Sequence, residues 1–391
     1  MIIDEVRRGG DAALIELTRK IDGVKLASLE VSKKEVAGAY QQVDGELVDA
    51  LKLAAERIRC FHQAQKECIW HEVAQEGMTQ LIRPLTRVGV YAPGGTAPYP
   101  SSLLMTAVPA SVAGVNEIVM VTPPKPGGAI PAVMLVAADI AGIDRMYAVG
   151  GAQAVAALAY GTETVPAVDK ICGPGNIFVT LAKKLVCGVV GIDGLRGPSE
   201  VLIIAGEAAS PELCAADLLA QAEHDPLAQS VLVTTSTRFA DEVNRELGRQ
   251  MEELSRRQIV EQSLNSGIIA VVSSLDEAIE LANLYAPEHL LLMVAVADDY
   301  LDKVVNAGCI VAGSKATVVL GDYVEGPSHA LPTGGTARFS SPLTVADFIK
   351  FINVVTVDDD GLRKLGPAAV TIARAEGLDA HARSVERRLR D

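Results

Sequence analysis

The feature that most constrains the fold is an alternation of short apolar runs with helical segments over residues 88–294, separated by turns that contain Gly and Pro. Apolar runs of about four to eight residues are typical of strands that are buried on both faces. Repeated strand–helix–strand units joined by short turns predict parallel sheets covered by helices. Because a single open sheet would need too many strands, the pattern predicts two parallel sheets.

The individual elements are predicted from apolar spacing and from turn residues. Strands are predicted at 88–91, 117–121, 146–149, 201–205, 230–235, 267–272 and 289–294. Residues 1–80 are predicted to be helical, with helices at 12–21 and 47–62, and further helices are predicted at 101–113, 130–140, 152–160, 176–186, 211–223 and 275–284. The first strand is predicted to stop at the Ala-Pro-Gly-Gly turn over 92–95.

The domain boundaries are predicted near residues 90, 200 and 343. One α/β domain is predicted to combine residues 1–90 with 201–343, and a second is predicted over 91–200. Residues 344–391 are predicted to form a helical tail. With 391 residues, of which 49% are apolar and 21% charged, the chain is long enough to bury two such cores.

Charge and composition exclude several classes of function. The net charge is −14, so nonspecific binding to nucleic acid or to an anionic membrane is not expected. The N-terminus has no apolar signal core, and the most apolar stretch, 103–121, is interrupted by Pro109, Asn116 and Glu117. The six cysteines form no CxxC pair and are predicted to be buried free thiols in a reducing cytoplasm.

The histidines are the natural starting point for chemistry because the chain has only six, at 62, 71, 224, 289, 329 and 381. His62 and His71 lie in the polar N-terminal region and are predicted to be surface residues. His381 follows Gly377, which can end one helix and allow another to begin. From the residues alone, His381 is predicted to lie on a surface helix.

Gln221 and His224 are three residues apart on the last turn of the predicted helix 211–223. From that position the oxygen of Gln221 and a nitrogen of His224 could reach one metal ion. Gln is a poor zinc ligand in general. The alternative is a helix end whose polar side chains face solvent.

Glu288 and His289 are adjacent titratable residues at the start of an apolar strand. Two groups of different pKa can divide the work of accepting a proton and activating water. Sites in open α/β sheets usually lie at the carboxyl ends of strands, and this pair precedes its strand. The rule therefore predicts no site here, and the alternative is an acid–His pair that merely caps the strand.

Residues 321–335 are predicted to form a polar loop stiffened by prolines and turned by glycines. The loop holds Asp322 near its start and His329 at its middle. Such a loop favours function over simple connection. The alternative is a long structural connection.

No common nucleotide or hydrolase signature is present. The fingerprint GxGxxG is absent, and residues 149–153 are its nearest approach. The Gly-Pro-Gly-Asn sequence at 173–176 opens a helix whose amides could hold phosphate. The absence of GxxxxGK[ST] and GxSxG disfavours ATP chemistry and serine hydrolysis.

Several long motifs, in this order, resemble histidinol dehydrogenases over nearly the whole chain. They are YAPGG at 91–95, GGAQAVAALAYGTETVPAVDKICGPGN at 150–176, GPSEVLIIA at 197–205, QAEHDP at 221–226, APEHL at 286–290, GDYVEGPSHALPTGGTARFSSPL at 321–343 and EGLDAHARSVERR at 376–388. The resemblance implies two incomplete Rossmann-like domains and a C-terminal helical tail that is swapped in a homodimer.

The resemblance also implies a zinc ion in each subunit that holds the substrate. The implied zinc ligands are Gln221, His224, Asp322 and His381. The implied substrate contacts are Ser199, Glu376, His289 and the four zinc ligands, with His329 lining the same pocket. The positions implied to surround NAD are Tyr91, Gln153 and Asn176.

The reaction implied by the resemblance is the oxidation of L-histidinol to an aldehyde and then to L-histidine, with two NAD. His289 would accept the alcohol proton, and Glu288 would activate the water that attacks the aldehyde. The zinc would position substrate more than it activates water. The alternatives are a related zinc- and NAD-linked dehydrogenase of another small alcohol such as a sulfonated diol, a non-catalytic metal-dependent binding protein, and a zinc hydrolase.

The chain departs from the family pattern in a few places. The resemblance implies a further N-terminal segment, so either the N-terminal arm is expected to be absent or the start to be truncated, and part of the implied dimer contact is in doubt. Glu325, Ser328 and Ala330 stand where other residue types are common, and Glu325 is expected to add charge near Asp322.

Overall fold

The computed structural model describes residues 1–71, 74–75, 77–94, 98–313 and 315–390. Gly95, at the end of the predicted turn 92–95, lies outside these residues. The helices are α1 (Ile2–Ile21), α2 (Lys33–Ala39), α3 (Gly45–Ile69), α4 (Pro100–Ala113), α5 (Ala132–Ala141), α6 (Gly151–Tyr160), α7 (Ile177–Val186), α8 (Pro211–Ala222), α9 (Thr237–Met251), α10 (Arg257–Leu264), α11 (Leu275–Tyr285), α12 (Asp298–Leu301), α13 (Val318–Tyr323), α14 (Asp359–Ala375) and α15 (Asp379–Arg388). The strands are β1 (Ala74–Gln75), β2 (Met78–Pro84), β3 (Arg87–Tyr91), β4 (Glu117–Thr122), β5 (Arg145–Ala148), β6 (Lys170–Cys172), β7 (Gly191–Ile192), β8 (Glu200–Ala205), β9 (Gln229–Thr234), β10 (Ile268–Val271), β11 (His289–Met293), β12 (Cys309–Ala312) and β13 (Ile349–Val355).

Two five-stranded parallel sheets confirm the predicted α/β class. The strand order of the first is β5-β4-β3-β6-β7, and that of the second is β10-β9-β8-β11-β12. In both sheets the chain starts at the central strand, moves to one edge and then returns to the other side. This is the Rossmann order without its last strand, as the resemblance implies.

The central strands of the second sheet are buried on both faces, as their apolar runs predict. Every residue of β8 and β11 is buried. Side chains alternate between two cores, so that Leu291 faces the helices α8 and α9 while Leu290 faces α11. Burial on both faces therefore explains the unbroken apolar run at 289–293.

The N-terminal helices pack beside the first sheet. Helix α1 contacts α6, and α2 contacts α5. Asp11 of α1 accepts hydrogen bonds from the hydroxyls of Thr162 and Thr164 beyond α6.

The predicted division into domains at 1–90 with 201–343, 91–200 and 344–391 stays a prediction.

The prediction that the segment after residue 343 is helical throughout is wrong, as is the helical prediction for residues 74–75 and 78–80. Strands β2 and β13 pair along their whole length in an antiparallel sheet, which β1 extends. These strands are only partly buried, so they lack the apolar runs of the parallel sheets. They belong to a compact unit of their own, formed by residues 67–84 and 349–391.

Two smaller predictions are corrected by burial. His62 is fully buried rather than exposed, because it follows Ile58 on the apolar face of α3, where its Nδ1 lies 2.8 Å from the Ile58 carbonyl oxygen. The cysteines are free, but only Cys172 and Cys214 are buried, and Cys60, Cys68 and Cys187 are exposed. Among the described residues, no helix is long and apolar enough to cross a membrane.

Candidate functional site

The pair Glu288 and His289 lies at the amino end of β11, which neighbours the central strand β8 of the second sheet. Ala286 ends α11 in the left-handed conformation, with φ of 53°, and so turns the chain toward β11. The side chains of both Glu288 and His289 are 8% exposed. The backbone N–H of Glu200, at the start of the neighbouring strand β8, donates to Oε2 of Glu288 at 2.8 Å. Two titratable groups are therefore held in a buried position by strand pairing.

Asp322 completes this buried cluster. Its Oδ1 lies 3.4 Å from Nε2 of His289, while Nδ1 of His289 lies 3.8 Å from Oε2 of Glu288. Asp322 lies on helix α13 rather than in the loop predicted over 321–335, whose first residues are helical. The Glu–His pair of the sequence is thus a Glu–His–Asp cluster in the structure.

The pKa values of the cluster suit proton transfer near neutral pH. Burial raises the pKa of Glu288 to about 7, against the opposing effect of His289. Burial disfavours the charged form of His289, but the carboxylates of Asp322 and Glu288 outweigh it and raise the pKa of His289. Burial also opposes ionisation of Asp322, yet contact with His289 lowers its pKa. The cluster therefore offers an ionised Asp322 and two groups that can exchange protons.

Gln221 and His224 lie at the C-terminal end of α8. Gln221 is buried, and its Nε2 has no hydrogen-bond partner among the described residues. Burial lowers the pKa of His224, although nearby Asp322 acts in the opposite direction. A neutral imidazole is the form that binds metal. The described residues contain no cluster of three or more His, Cys, Asp or Glu side chains with metal-binding spacing.

The burial of Gln221 in the last turn of α8 nevertheless fits a ligand position. Its unpartnered Nε2 is a donor that needs an acceptor and cannot bind a metal, so the ligand atom would be Oε1. The nearby neutral His224 and ionised Asp322 are the protonation states that a divalent metal requires. Gln221 can contribute the oxygen ligand that its sequence position predicts.

Two further residues predicted to contact substrate, Ser199 and His329, lie in the larger compact unit. Ser199 precedes β8, and its carbonyl oxygen accepts from the N–H of Gln229. His329 lies close to Asp322, with its Nδ1 2.7 Å from the Asp322 carbonyl oxygen, and its Nε2 lies 3.1 Å from Oγ of Ser102 on α4.

Glu376 and His381 belong to the other compact unit. Glu376 ends α14, His381 lies on α15, and both are exposed there. Within this unit α14 and α15 pack closely, since a Cβ on Gly366 would lie 3.2 Å from side-chain atoms of Val385 and Leu389. The role of Glu376 and His381 stays a prediction.

Glu200 is a buried residue that the motifs did not single out. Its Oε1 accepts from the N–H of Gly334 at 2.8 Å, its N–H donates to Glu288, and burial raises the pKa of its carboxyl. The only signal for Glu200 in the sequence is a carboxylate at the start of an apolar strand. The hydrogen bond from Gly334 to the Glu200 carboxyl joins the end of the predicted loop to the start of β8, beside Glu288.

Glu325, which departs from the family pattern, lies opposite a cation. Its Oε2 is 3.5 Å from Nη2 of Arg57 in an exposed ion pair. The charge expected near Asp322 is therefore partly balanced by Arg57. Ser328, a second departure, donates its hydroxyl to the carbonyl oxygen of Met105.

The three residues predicted around NAD lie at the carboxyl end of the first sheet. Tyr91 ends β3, and its hydroxyl oxygen accepts from the N–H of Gly151 at 3.0 Å. Gln153 is buried, its Nε2 donates to Asp22, and its Oε1 has no partner among the described residues. Asn176 caps α7. In a Rossmann-like sheet, the carboxyl ends beside the central strand are where ligands bind.

The loop that carries Asn176 is held by a buried ion pair that sequence analysis missed. Lys183 of α7 donates to the Gly173 carbonyl oxygen and to Asp193, whose other carboxylate oxygen accepts from the Gly173 N–H. Gly173 has φ of 105°, and a Cβ there would collide with the Tyr91 carbonyl oxygen. The ion pair therefore fixes the loop against the end of β3.

Replacing Lys183 with Met is expected to lower the free energy of unfolding by about 3–5 kcal/mol, because it removes the closer of two cations from the fully buried Asp193 carboxylate and leaves only Arg196, whose Nε lies 3.6 Å from Oδ2 of Asp193. Urea unfolding followed by circular dichroism measures the loss. The double variant K183M/D193N should recover part of it, since the buried carboxylate is then replaced by a neutral amide. An equal or larger loss in the double variant would mean that the ion pair itself is not the source of stability.

A cavity of about 400 Å³ lies at the opposite end of the second sheet. It is lined by Gly206, Met293, Ala297 and Gly313 at the carboxyl ends of the strands. Apart from Asp298, the described residues that line it carry no titratable side chain. The candidate site is therefore assigned to the cluster around Glu288 and not to this cavity.

Comparison with known proteins agrees with this geometry. A family model described as histidinol dehydrogenase matches residues 1–389. The chain is 58% identical to the histidinol dehydrogenase of Dehalococcoides mccartyi strain CBDB1 over 99% of this chain and 89% of that protein, and 50% identical to that of Clostridium acetobutylicum over 100% and 91%. The crystal structure of histidinol dehydrogenase from Elizabethkingia anophelis superposes with a TM-score of 0.95 at 39% identity, over 100% of this chain and 90% of that one. An acetylating aldehyde dehydrogenase from Geobacillus thermoglucosidasius, at 15% identity and a TM-score of 0.50, over 91% of this chain and 96% of that one, is similar in fold alone.

Proposed function

The chain belongs to the histidinol dehydrogenase family of NAD-dependent oxidoreductases, and from that premise we propose that it oxidises L-histidinol through L-histidinaldehyde to L-histidine with two NAD. The observation that carries the proposal is the buried cluster of Glu288, His289 and Asp322. The alternative of a related enzyme for another alcohol receives no support from the comparisons.

His289 accepts the alcohol proton in the first oxidation. The nearby carboxylate of Asp322 stabilises the imidazolium that forms, and so favours proton uptake. NAD, when bound, would supply the hydride acceptor for each oxidation. Loss of one proton and one hydride converts the alcohol to the aldehyde.

Glu288 acts in the second oxidation. As a carboxylate it takes a proton from water while the water oxygen bonds to the aldehyde carbon, and the aldehyde oxygen takes the proton that His289 holds, which gives the hydrate. Loss of a second hydride and a proton from the hydrate then gives the carboxylic acid. Its pKa of about 7 matches this task, because a general base works best when its pKa is close to the working pH.

Zinc is proposed to be held by Gln221, His224 and Asp322 together with His381. The bound metal would fix the imidazole and amine of the substrate. The burial of Gln221 at the end of α8, beside a neutral His224 and an ionised Asp322, supports this assignment. Ser199, Glu376 and His329 are proposed to line the same substrate pocket.

NAD is proposed to bind at the carboxyl end of the first sheet, beside Tyr91, Gln153 and Asn176. The unpartnered Oε1 of Gln153 supports a ligand there. Asp22, which accepts from Gln153, is an additional residue for this site. The backbone N–H groups of Gly175 and Asn176, before α7, can approach phosphate without a Lys from a P-loop.

A homodimer is proposed, with one zinc per subunit and with Glu376 and His381 contributed to the site of the partner. Large apolar side chains exposed in the unit of residues 67–84 and 349–391 support a partner chain there. They include Phe351, Val355, Leu365 and Ile372. The free cysteines support a cytoplasmic location.

A product assay tests the proposal. Purified protein given L-histidinol, NAD and zinc is expected to form two NADH per L-histidine, measured as absorbance and by chromatography of the product. One NADH with release of the aldehyde would contradict the two-step mechanism. Ligand binding without any NADH would indicate a binding protein, and turnover without NAD would indicate a hydrolase.

A further inference from the structure

The zinc ligands that lie in the larger unit come from two separate helices. Gln221 lies in the last turn of α8 and His224 just beyond its end, whereas Asp322 lies on α13. Helix α13 has only six residues, which is too short to be stable without tertiary contacts. The position of Asp322 relative to the other two ligands therefore depends on how α13 is fixed to α8.

One side chain both begins α13 and joins it to α8. The hydroxyl oxygen of Thr317, the N-cap residue, accepts from the N–H of Val319 at 3.3 Å. The same hydroxyl donates to Oδ1 of Asp217 at 2.5 Å. Thr317 therefore satisfies a backbone group of α13 and a carboxylate of α8 at once.

The hydrogen bond between Thr317 and Asp217 lies close in sequence to the proposed zinc ligands on both helices. Asp217 precedes Gln221 by four residues on α8, so the two share one face of the helix. Thr317 precedes Asp322 by five residues, and Val318 between them packs in the apolar core that contains Leu218. The contact thus lies about one helical turn from a ligand on each side.

We propose that Asp217 and Thr317 are positioning residues that hold Asp322 in register with Gln221 and His224. The proposal rests on the zinc site proposed above. Neither residue belongs to the ligand set or to the acid–base pair. Their hydrogen bond presets the separation of the two helices before the metal arrives.

Replacing Thr317 with Val tests this role, because Val has the same shape and lacks the hydroxyl. Zinc affinity is measured in competition with a chromophoric chelator, with zinc alone as the probe and without substrate or NAD. T317V is expected to bind zinc about 10- to 100-fold more weakly, as when an outer partner of a ligand is lost. The zinc concentration for half-maximal activity should rise by the same factor.

Matched variants separate positioning from general destabilisation. T317S keeps the hydroxyl and D217N keeps an acceptor oxygen, so both should bind zinc as the wild type does. D217A should weaken binding as T317V does, and the double variant T317V/D217A should be no weaker than either alone. S32A removes the N-cap of the short helix α2, at the first sheet, and should leave zinc affinity unchanged.

The outcomes distinguish this inference from the proposed function. Wild-type protein that binds no zinc would overturn the metal site itself. Tight binding by the wild type with unchanged binding by folded T317V and D217A would overturn only the positioning role. If T317V does not fold by circular dichroism, D217A decides, since it leaves the cap of α13 in place.

Discussion

Replacing His289 with Asn is expected to lower kcat for the oxidation of L-histidinol by about 10²- to 10⁴-fold, the contribution of a positioned general base. Asn keeps an amide that can hydrogen-bond to Asp322 but has no group that accepts a proton. Because the alcohol proton must leave as the hydride departs, the first oxidation loses its acceptor. Single-turnover formation of the first NADH measures this step directly.

Two controls test whether a loss of activity in H289N comes from the loss of the base and not from misfolding or loss of zinc. His71→Asn makes the same change at an exposed histidine and should leave kcat unchanged. Zinc affinity and the unfolding midpoint of H289N should also be measured, because His289 contacts Asp322. A variant that is folded, binds zinc and forms the first NADH at the wild-type rate would rule out His289 as the proton acceptor.

The strands of the parallel sheets could be predicted because each is marked by a run of apolar residues within its own sequence. The runs at 201–205 and 289–293 are buried on both faces, so their strand character is visible in the residues themselves. Strands β2 and β13 could not be found in this way. Each is half exposed, and each acquires its hydrogen bonds from a segment far away in the chain.

The candidate site could be predicted only in part, because its residues come from segments that are far apart in the sequence. Glu288 and His289 are neighbours in sequence, but Asp322 and Glu200 reach them through the fold. The rule that sites lie at carboxyl ends of strands predicts the NAD side of the first sheet and not this pair. The pair lies at the amino end of β11, where the end of α8, the start of β8 and helix α13 converge.

The motif order supplied what local patterns could not. The spacing of Gln221 and His224 alone favours a solvated helix end over a metal site, whereas the structure buries Gln221 and leaves its Nε2 unpartnered. Neither the local patterns nor the family motifs indicated a role for Asp217 or Thr317. A link between two helices is a property of their packing, and neither residue carries chemistry of its own.

The second prediction with a large effect concerns Glu288. Replacing it with Gln is expected to spare the oxidation of L-histidinol to the aldehyde and to slow oxidation of the aldehyde by about 10²- to 10⁴-fold. Gln has nearly the same shape and can still accept from the N–H of Glu200. What it lacks is a basic oxygen that takes a proton from the attacking water. Separate assays with L-histidinol and with L-histidinaldehyde measure the two steps.

The pH dependence gives this prediction a second, independent readout. Burial raises the pKa of Glu288 to about 7, so the carboxylate form that the second step needs is lost as pH falls through that value. Aldehyde oxidation by the wild type should therefore decline about tenfold for each pH unit below the apparent pKa, with the decline beginning near 7. E288Q has no group to protonate there, and its residual rate should lack this limb. Equal losses in both oxidations, or a limb that persists in E288Q, would show that the two residues do not divide the proton transfers between them.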